Sequence, residues 1–365
     1  MLHAHSHIAM LGWGFTALAS TLVFFFFPTA VLSRAFRYGL IGNIVSVLGM
    51  FLAFLLQGYA PISIGFSVLH VFIAYYFSWH FLKHLNGLES SNAVIFAKWA
   101  IYLMVFSTFG LWAVAPVSII LGKLHPLYFA SIQFFLHFQF NGWFTFGILA
   151  LLFNHSEKNG CNIRLPKGSI LVLLISLILT YTLSITWSTP ENFLFFLNSI
   201  GVLLQLVAFI LIAKGVYQSS SFSFRIGTIS YWLLLLGLMS LGLKVIIQAA
   251  VAIPNIAMVS YTIRNFVIGF IHLTMLGAFS LSLMAILHQQ KLIPHSAMAN
   301  YGYRLLTIGF VLTEGLLFLQ GVLLWAEKGF LEFYYTAIFS ATLILPIALI
   351  LVIISSFQSK LKLTI

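Results

Sequence analysis

The stretch HIAMLGWGFTALASTLVFFFFPTAV, residues 7–31, decides the fold. It holds one ionisable side chain, His7, and no Asp, Glu, Lys or Arg. A bilayer's hydrocarbon core is spanned by ~20 apolar residues in a helix, and this stretch is long enough to do so. Ten similar runs follow, at roughly 38–58, 61–83, 94–119, 126–153, 168–187, 191–214, 228–252, 264–288, 303–325 and 333–357. Pro and polar clusters separate them, among them Asn154 to Lys167 and Gln218 to Arg225. The expected fold is therefore all-α, a polytopic membrane protein of about eleven transmembrane helices, with the lipid bilayer as its first partner.

Composition supports this. Of 365 residues, 61% are hydrophobic and 6% charged, against about 25% charged in soluble domains. A soluble enzyme and a disordered protein are excluded. The net charge of +11 comes from basic residues scattered singly between apolar runs. There is no basic stripe, and no nucleic-acid partner is expected. The single cysteine, Cys161, excludes a disulfide framework. The chain has six Glu, no Asp and twelve His, so histidine dominates its polar chemistry. It opens on His3, His5 and His7 with no basic leader, so no cleavable signal peptide is expected.

Basic residues collect on the cytoplasmic side of membrane proteins. With the N-terminus outside and the C-terminus in the cytoplasm, thirteen fall inside: Arg34, Arg37, Lys83, Lys98, Lys158, Arg164, Lys167, Lys214, Arg225, Lys291, Arg304, Lys360 and Lys362. Only Lys123, Arg264 and Lys328 fall outside, and Lys244 lies within a span. The expected location is a bacterial inner membrane in that orientation.

A short pattern recurs three times. His7 is followed at +4 and +5 by Leu11 and Gly12, His137 by Asn141 and Gly142, and His272 by Leu276 and Gly277. At +6 stand Trp13, Trp143 and Ala278. The copies lie in the first, fifth and ninth spans, each the first helix of its block. They divide one transmembrane domain, 1–365, into repeats of roughly 1–124, 125–260 and 261–365, holding four, four and three helices. A glycine one turn past each histidine lets a neighbouring helix or a flat ligand approach the backbone. One such motif reads as helix glue and packing; three at near-equal spacing in so apolar a chain point to a site.

The segment Leu2-His3-Ala4-His5-Ser6-His7 leading to Leu11-Gly12-Trp13, with Pro28 beyond, resembles the histidine-rich helix of the heme–copper oxidase superfamily. It is closest to cbb3-type subunit I and the NnrS-like membrane proteins. The resemblance implies three pseudo-equivalent arcs of helices, with the family's first helix missing. His7 and His272 then match the two axial ligands of a low-spin heme, which bis-His ligation suits to electron transfer rather than open catalysis. Gly12 and Gly277 would border the macrocycle. His5 is an alternative to His7, and Arg264, eight residues or ~12 Å before His272, is placed to meet heme propionates. The family's high-spin ligand should stand two residues before His272, where Phe270 is found. The sixth span offers no His pair for copper. Conventional oxygen reduction is therefore not expected, and whether the chain is an enzyme stays open.

His137 and the mid-span His70 are candidates for a copper or other metal site, because imidazole suits Cu, Zn and Fe. His3 adds a second candidate, with the amine of Met1 and two amides completing a square-planar Cu(II) set. Lys244 and Glu314 are charges near the centres of their spans, each costing about 2.5–3.5 kcal/mol there. Pairing with one another would relieve both; Glu314 is otherwise a proton carrier or metal ligand. His80 and His84, and the span-end residues His125, His155, His288 and His295, read as interfacial.

Three functions remain: a heme-binding, and on one version copper-binding, protein of electron transfer or nitric-oxide response, working with a redox partner or further membrane subunits; a transporter of metal ions or heme; and a cofactor-free structural subunit. The orientation is directly testable. Reporter fusions after Leu124 and Glu191 are expected to report outside, and a fusion after Asn159 the cytoplasm; the reverse pattern contradicts the helix alignment.

Overall fold

The computed structural model describes residues 2–30, 33–161, 163–219 and 224–361. Met1 and Lys362, invoked above, lie outside them. Eleven helices are long and apolar enough to cross a membrane: α1 (His3–Phe26), α2 (Arg34–Gln57), α3 (Pro61–Leu85), α4 (Asn92–Ile120), α5 (Pro126–Lys158), α6 (Ser169–Thr186), α7 (Asn192–Gln218), α8 (Ile229–Ala250), α9 (Arg264–Gln289), α10 (Ala297–Trp325) and α11 (Tyr334–Gln358). A short helix, Pro254–Thr262, precedes α9. No strand occurs among the described residues. The chain is a multi-pass integral membrane protein.

Local chemistry sets the helix ends. Pro61 and Pro126 open α3 and α5 at the first turn, where a missing N–H costs nothing. Ser91, Thr228 and Ser296 cap α4, α8 and α10, their hydroxyls accepting from Val94, Tyr231 and Ala299 N–H at 3.3, 3.2 and 3.1 Å. Phe27 leaves the helical region just before Pro28 and ends α1, while Lys158 Nζ donates to the Phe25 carbonyl near that end.

Several boundaries differ from the sequence reading, and three show why. α1 begins at His3 rather than residue 7, since Ser6 and His7 bond back to the His3 carbonyl. α10 begins six residues early, behind its Ser296 cap. α5 runs on to Lys158 because Glu157 accepts from Ser91 Oγ at 2.8 Å and Ala93 N–H at 3.2 Å, tying it to the start of α4. His155 is consequently 2% exposed, and His288 is 5% exposed with its Nδ1 2.6 Å from Ser230 Oγ. Both are buried packing residues, not the solvated interfacial groups expected.

The chain divides into two compact units, Met1–Leu171 with Leu211–Phe222, and Val172–Ile210 with Ser223–Ile365. In the first, α1 packs on α2 and α5, α2 on α3, α3 on α4 and α4 on α5. Its interior is rich in aromatics, including Phe15, Phe77, Phe81 and the fully buried Trp143. In the second, α8 packs on α9, α9 on α10, and α10 on α11. Outward apolar side chains such as Leu56, Ile119 and Ile210 match a hydrocarbon surround.

Three spans contain π-helical stretches: Ile8–Gly14 in α1, Phe138–Phe144 in α5 and Leu273–Leu281 in α9. No other described span has one. Each begins on the residue after His7, His137 or His272. Hydroxyls register the wider turn, with Thr145 Oγ1 donating to Phe140 O at 2.8 Å and Ser280 Oγ to Met275 O at 2.7 Å, both five residues back. Short π-helical insertions concentrate at functional sites.

Helix contact leaves no room at Gly110 on α4, where an added Cβ would stand 2.4 Å from the Ser131 carbonyl and 2.9 Å from Phe135 N. Gly110→Ala is expected to destabilise the purified protein by about 1–3 kcal/mol, read as a lowered thermal midpoint in detergent. Gly65→Ala, with nothing within 4 Å, should be neutral or slightly stabilising.

Candidate functional site

The three marked histidines share one backbone setting, each standing immediately before a π-helical stretch, and a polar group faces each Nδ1. His7 Nδ1 lies 2.8 Å from the His3 carbonyl, which accepts only, so Nδ1 carries the proton. His137 Nδ1 lies 3.2 Å from the amide of Asn141, one turn on. His272 Nδ1 lies 3.7 Å from Glu314 Oε1 on α10. At His7 this leaves Nε2 as the nitrogen able to ligate; at His137 the Asn141 Nδ2 donates to Nδ1, which puts the ring proton on Nε2.

Each site is built differently around that shared core. The His7 ring packs against Phe54 and Tyr59 at centroid distances of 4.4 and 6.0 Å, and His3 meets Tyr59 at 4.6 Å. His3 and His5 are exposed, so of the paired candidates His7 has the more enclosed ring. His137 is buried. His272 keeps a third of its side chain accessible beside the buried Glu314, and Arg264 is exposed at the start of the same helix. His7 and His137 belong to the first unit and His272 to the second.

The glycine one turn beyond each histidine meets a neighbouring helix. A Cβ on Gly12 would stand 3.0 Å from Val47 Cγ1, on Gly142 2.8 Å from Leu103 Cβ, and on Gly277 2.5 Å from Ser240 Oγ. The close approach expected from sequence is thus filled by protein. The tryptophans diverge: Trp13 is 43% exposed and Trp143 fully buried.

His70 is buried and sits in a polar chain within the first unit. Its Nδ1 lies 2.8 Å from Asn43 Oδ1, and Asn43 Nδ2 donates to Thr16 Oγ1 at 2.7 Å. Among the described residues, no three His, Cys, Asp or Glu side chains come together to hold a metal ion, so neither His70 nor His137 sits in such a cluster. Glu314 faces His272 rather than standing alone. Lys244 is 2% exposed, on a buried face of α8 that also carries Ser240 and Gln248, and Gln205 Nε2 donates to Gln248 Oε1 at 3.2 Å.

Sequence reasoning missed Asn43, Thr16 and Gln205. Each is a polar residue within an apolar run, and polar groups in hydrocarbon need partners; that signal was present, but the partner on another helix was not. Asn141 stood in the motif, four residues from His137, without its bond being read.

Fold and site together define a class: a polytopic all-helical membrane protein with several histidines within its spans. The chain matches no protein-family model and no curated protein.

The Asn43 amide serves two neighbours at once. Asn43→Leu strands the buried His70 Nδ1 and Thr16 Oγ1, and is expected to cost about 1–3 kcal/mol. Thr16→Val, which removes a single hydroxyl, should cost clearly less in the same thermal assay.

Proposed function

We propose that the chain is a heme-binding membrane protein of electron transfer or redox and nitric-oxide response, with His7 and His272 as iron-ligating side chains. The observation that carries the reading is the group facing Nδ1 of each proposed ligand: a carbonyl at 2.8 Å for His7 and a carboxylate at 3.7 Å for His272. Ligating histidines characteristically give their second ring nitrogen to a carbonyl or carboxylate, which fixes the tautomer and aims Nε2. His7 has the carbonyl and His272 the carboxylate. The residues fit the group: imidazole is a heme-iron ligand, and the accessible third of His272 leaves its ring reachable. Bound there, heme would supply one-electron chemistry; the protein's part is to hold the rings, with Arg264 a cation two turns before His272. Copper is not carried into this reading, since the described residues assemble no three-donor set.

A transporter of metal ions or heme is the second reading. The buried polar face of α8, with Ser240, Lys244 and Gln248, favours it, because intramembrane polar residues mark pathways.

Heme content per protein after heme-replete expression separates the two. His272→Ala and His7→Ala are each expected to lose most of the heme or turn it high-spin, while His137→Ala leaves the low-spin spectrum nearly intact. Dependence on His137 alone contradicts the assignment, and bound metal without heme supports the transporter.

A further inference from the structure

Glu314 is a carboxylate on a membrane span, 7% exposed. Neither of its oxygens has a hydrogen-bond donor in reach among the described residues. Such a group is costly in hydrocarbon unless it is given a counter-group. The one the structure brings to ion-pair distance is His272 Nδ1, at 3.7 Å.

The register of α9 against α10 fixes this meeting. Three glycine–phenylalanine contacts lock the two antiparallel helices. A Cβ on Gly321 would stand 2.6 Å from the Phe266 ring, one on Gly269 3.2 Å from Phe318, and one on Gly277 2.6 Å from Phe310. Stepping along α9 from Phe266 to Gly269 to Gly277 steps back along α10 from Gly321 to Phe318 to Phe310. In that one register the level of His272 falls at Gly315, next to Glu314. The juxtaposition therefore follows from backbone packing, not from the reach of a long side chain.

The other two marked histidines face neutral groups at Nδ1, a carbonyl for His7 and an amide for His137. Only His272 faces an acid. We infer that Glu314 is the positioning residue of His272: its carboxylate accepts the Nδ1–H, orients the ring so that Nε2 ligates, and makes this imidazole the most electron-donating of the three. The inference rests on the heme reading above. A carboxylate bonded to a coordinated imidazole increases the ligand's basicity. That stabilises the oxidised iron over the reduced iron and lowers the midpoint potential.

The test uses the purified full-length chain, loaded with heme during expression and titrated spectroelectrochemically. Glu314→Gln keeps shape and removes the negative charge. It is expected to retain a low-spin spectrum with a midpoint potential higher than wild type, and Glu314→Asp to fall between the two. A Glu314→Gln potential equal to wild type, with heme still bound and His272→Ala still altering the spectrum, overturns the inference and leaves the heme reading standing. A colourless wild-type protein overturns the heme reading, and this inference with it. If Glu314→Gln does not fold, Glu314→Asp decides alone: a shifted potential supports the role and an unchanged one overturns it.

Discussion

Hydrocarbon offers a buried polar group no water to bond with, so each such group in this chain must find its partner within the protein. That requirement shapes nearly every feature described. Hydroxyls in mid-span bond back to carbonyls three or four residues earlier, as Thr21, Ser78 and Thr180 do. Amides pair across helices, as Gln139 does with Ser107 and Asn43 with Thr16. The histidines within the spans are placed under the same rule.

The π-helical stretches bring these demands together. A wider turn right after a histidine shifts the helix phase by one residue, so the histidine and the glycine that follows it can serve different neighbours. At α9 the histidine meets Glu314 on α10 while Gly277 receives Ser240 from α8. The recurrence of this arrangement at His7, His137 and His272 gives the sequence motif a physical content that a lone histidine in a helix lacks.

Much of the fold was legible because apolar length and Pro or polar breaks are local signals. All eleven spans fall where the runs of Leu, Ile, Phe and Val put them. The errors lie at ends decided by distant partners. The polar Asn154, His155 and Glu157 place Lys158 in a loop by sequence, yet Glu157 caps a helix more than sixty residues away in the chain. At the candidate site the sequence singled out the three histidines and Glu314 from rarity and spacing. It did not bring His272 and Glu314 together, because that pairing depends on helix register, which was visible only once Phe266, Phe318 and Phe310 were seen seated on their glycines.

The central claim is that anchored imidazoles in this membrane hold a heme iron. The reduced-minus-oxidised absorption spectrum of the purified wild-type chain tests it most directly. The account predicts a sharp Soret and α-band of a six-coordinate, low-spin heme. A featureless spectrum from protein expressed with abundant heme would contradict it.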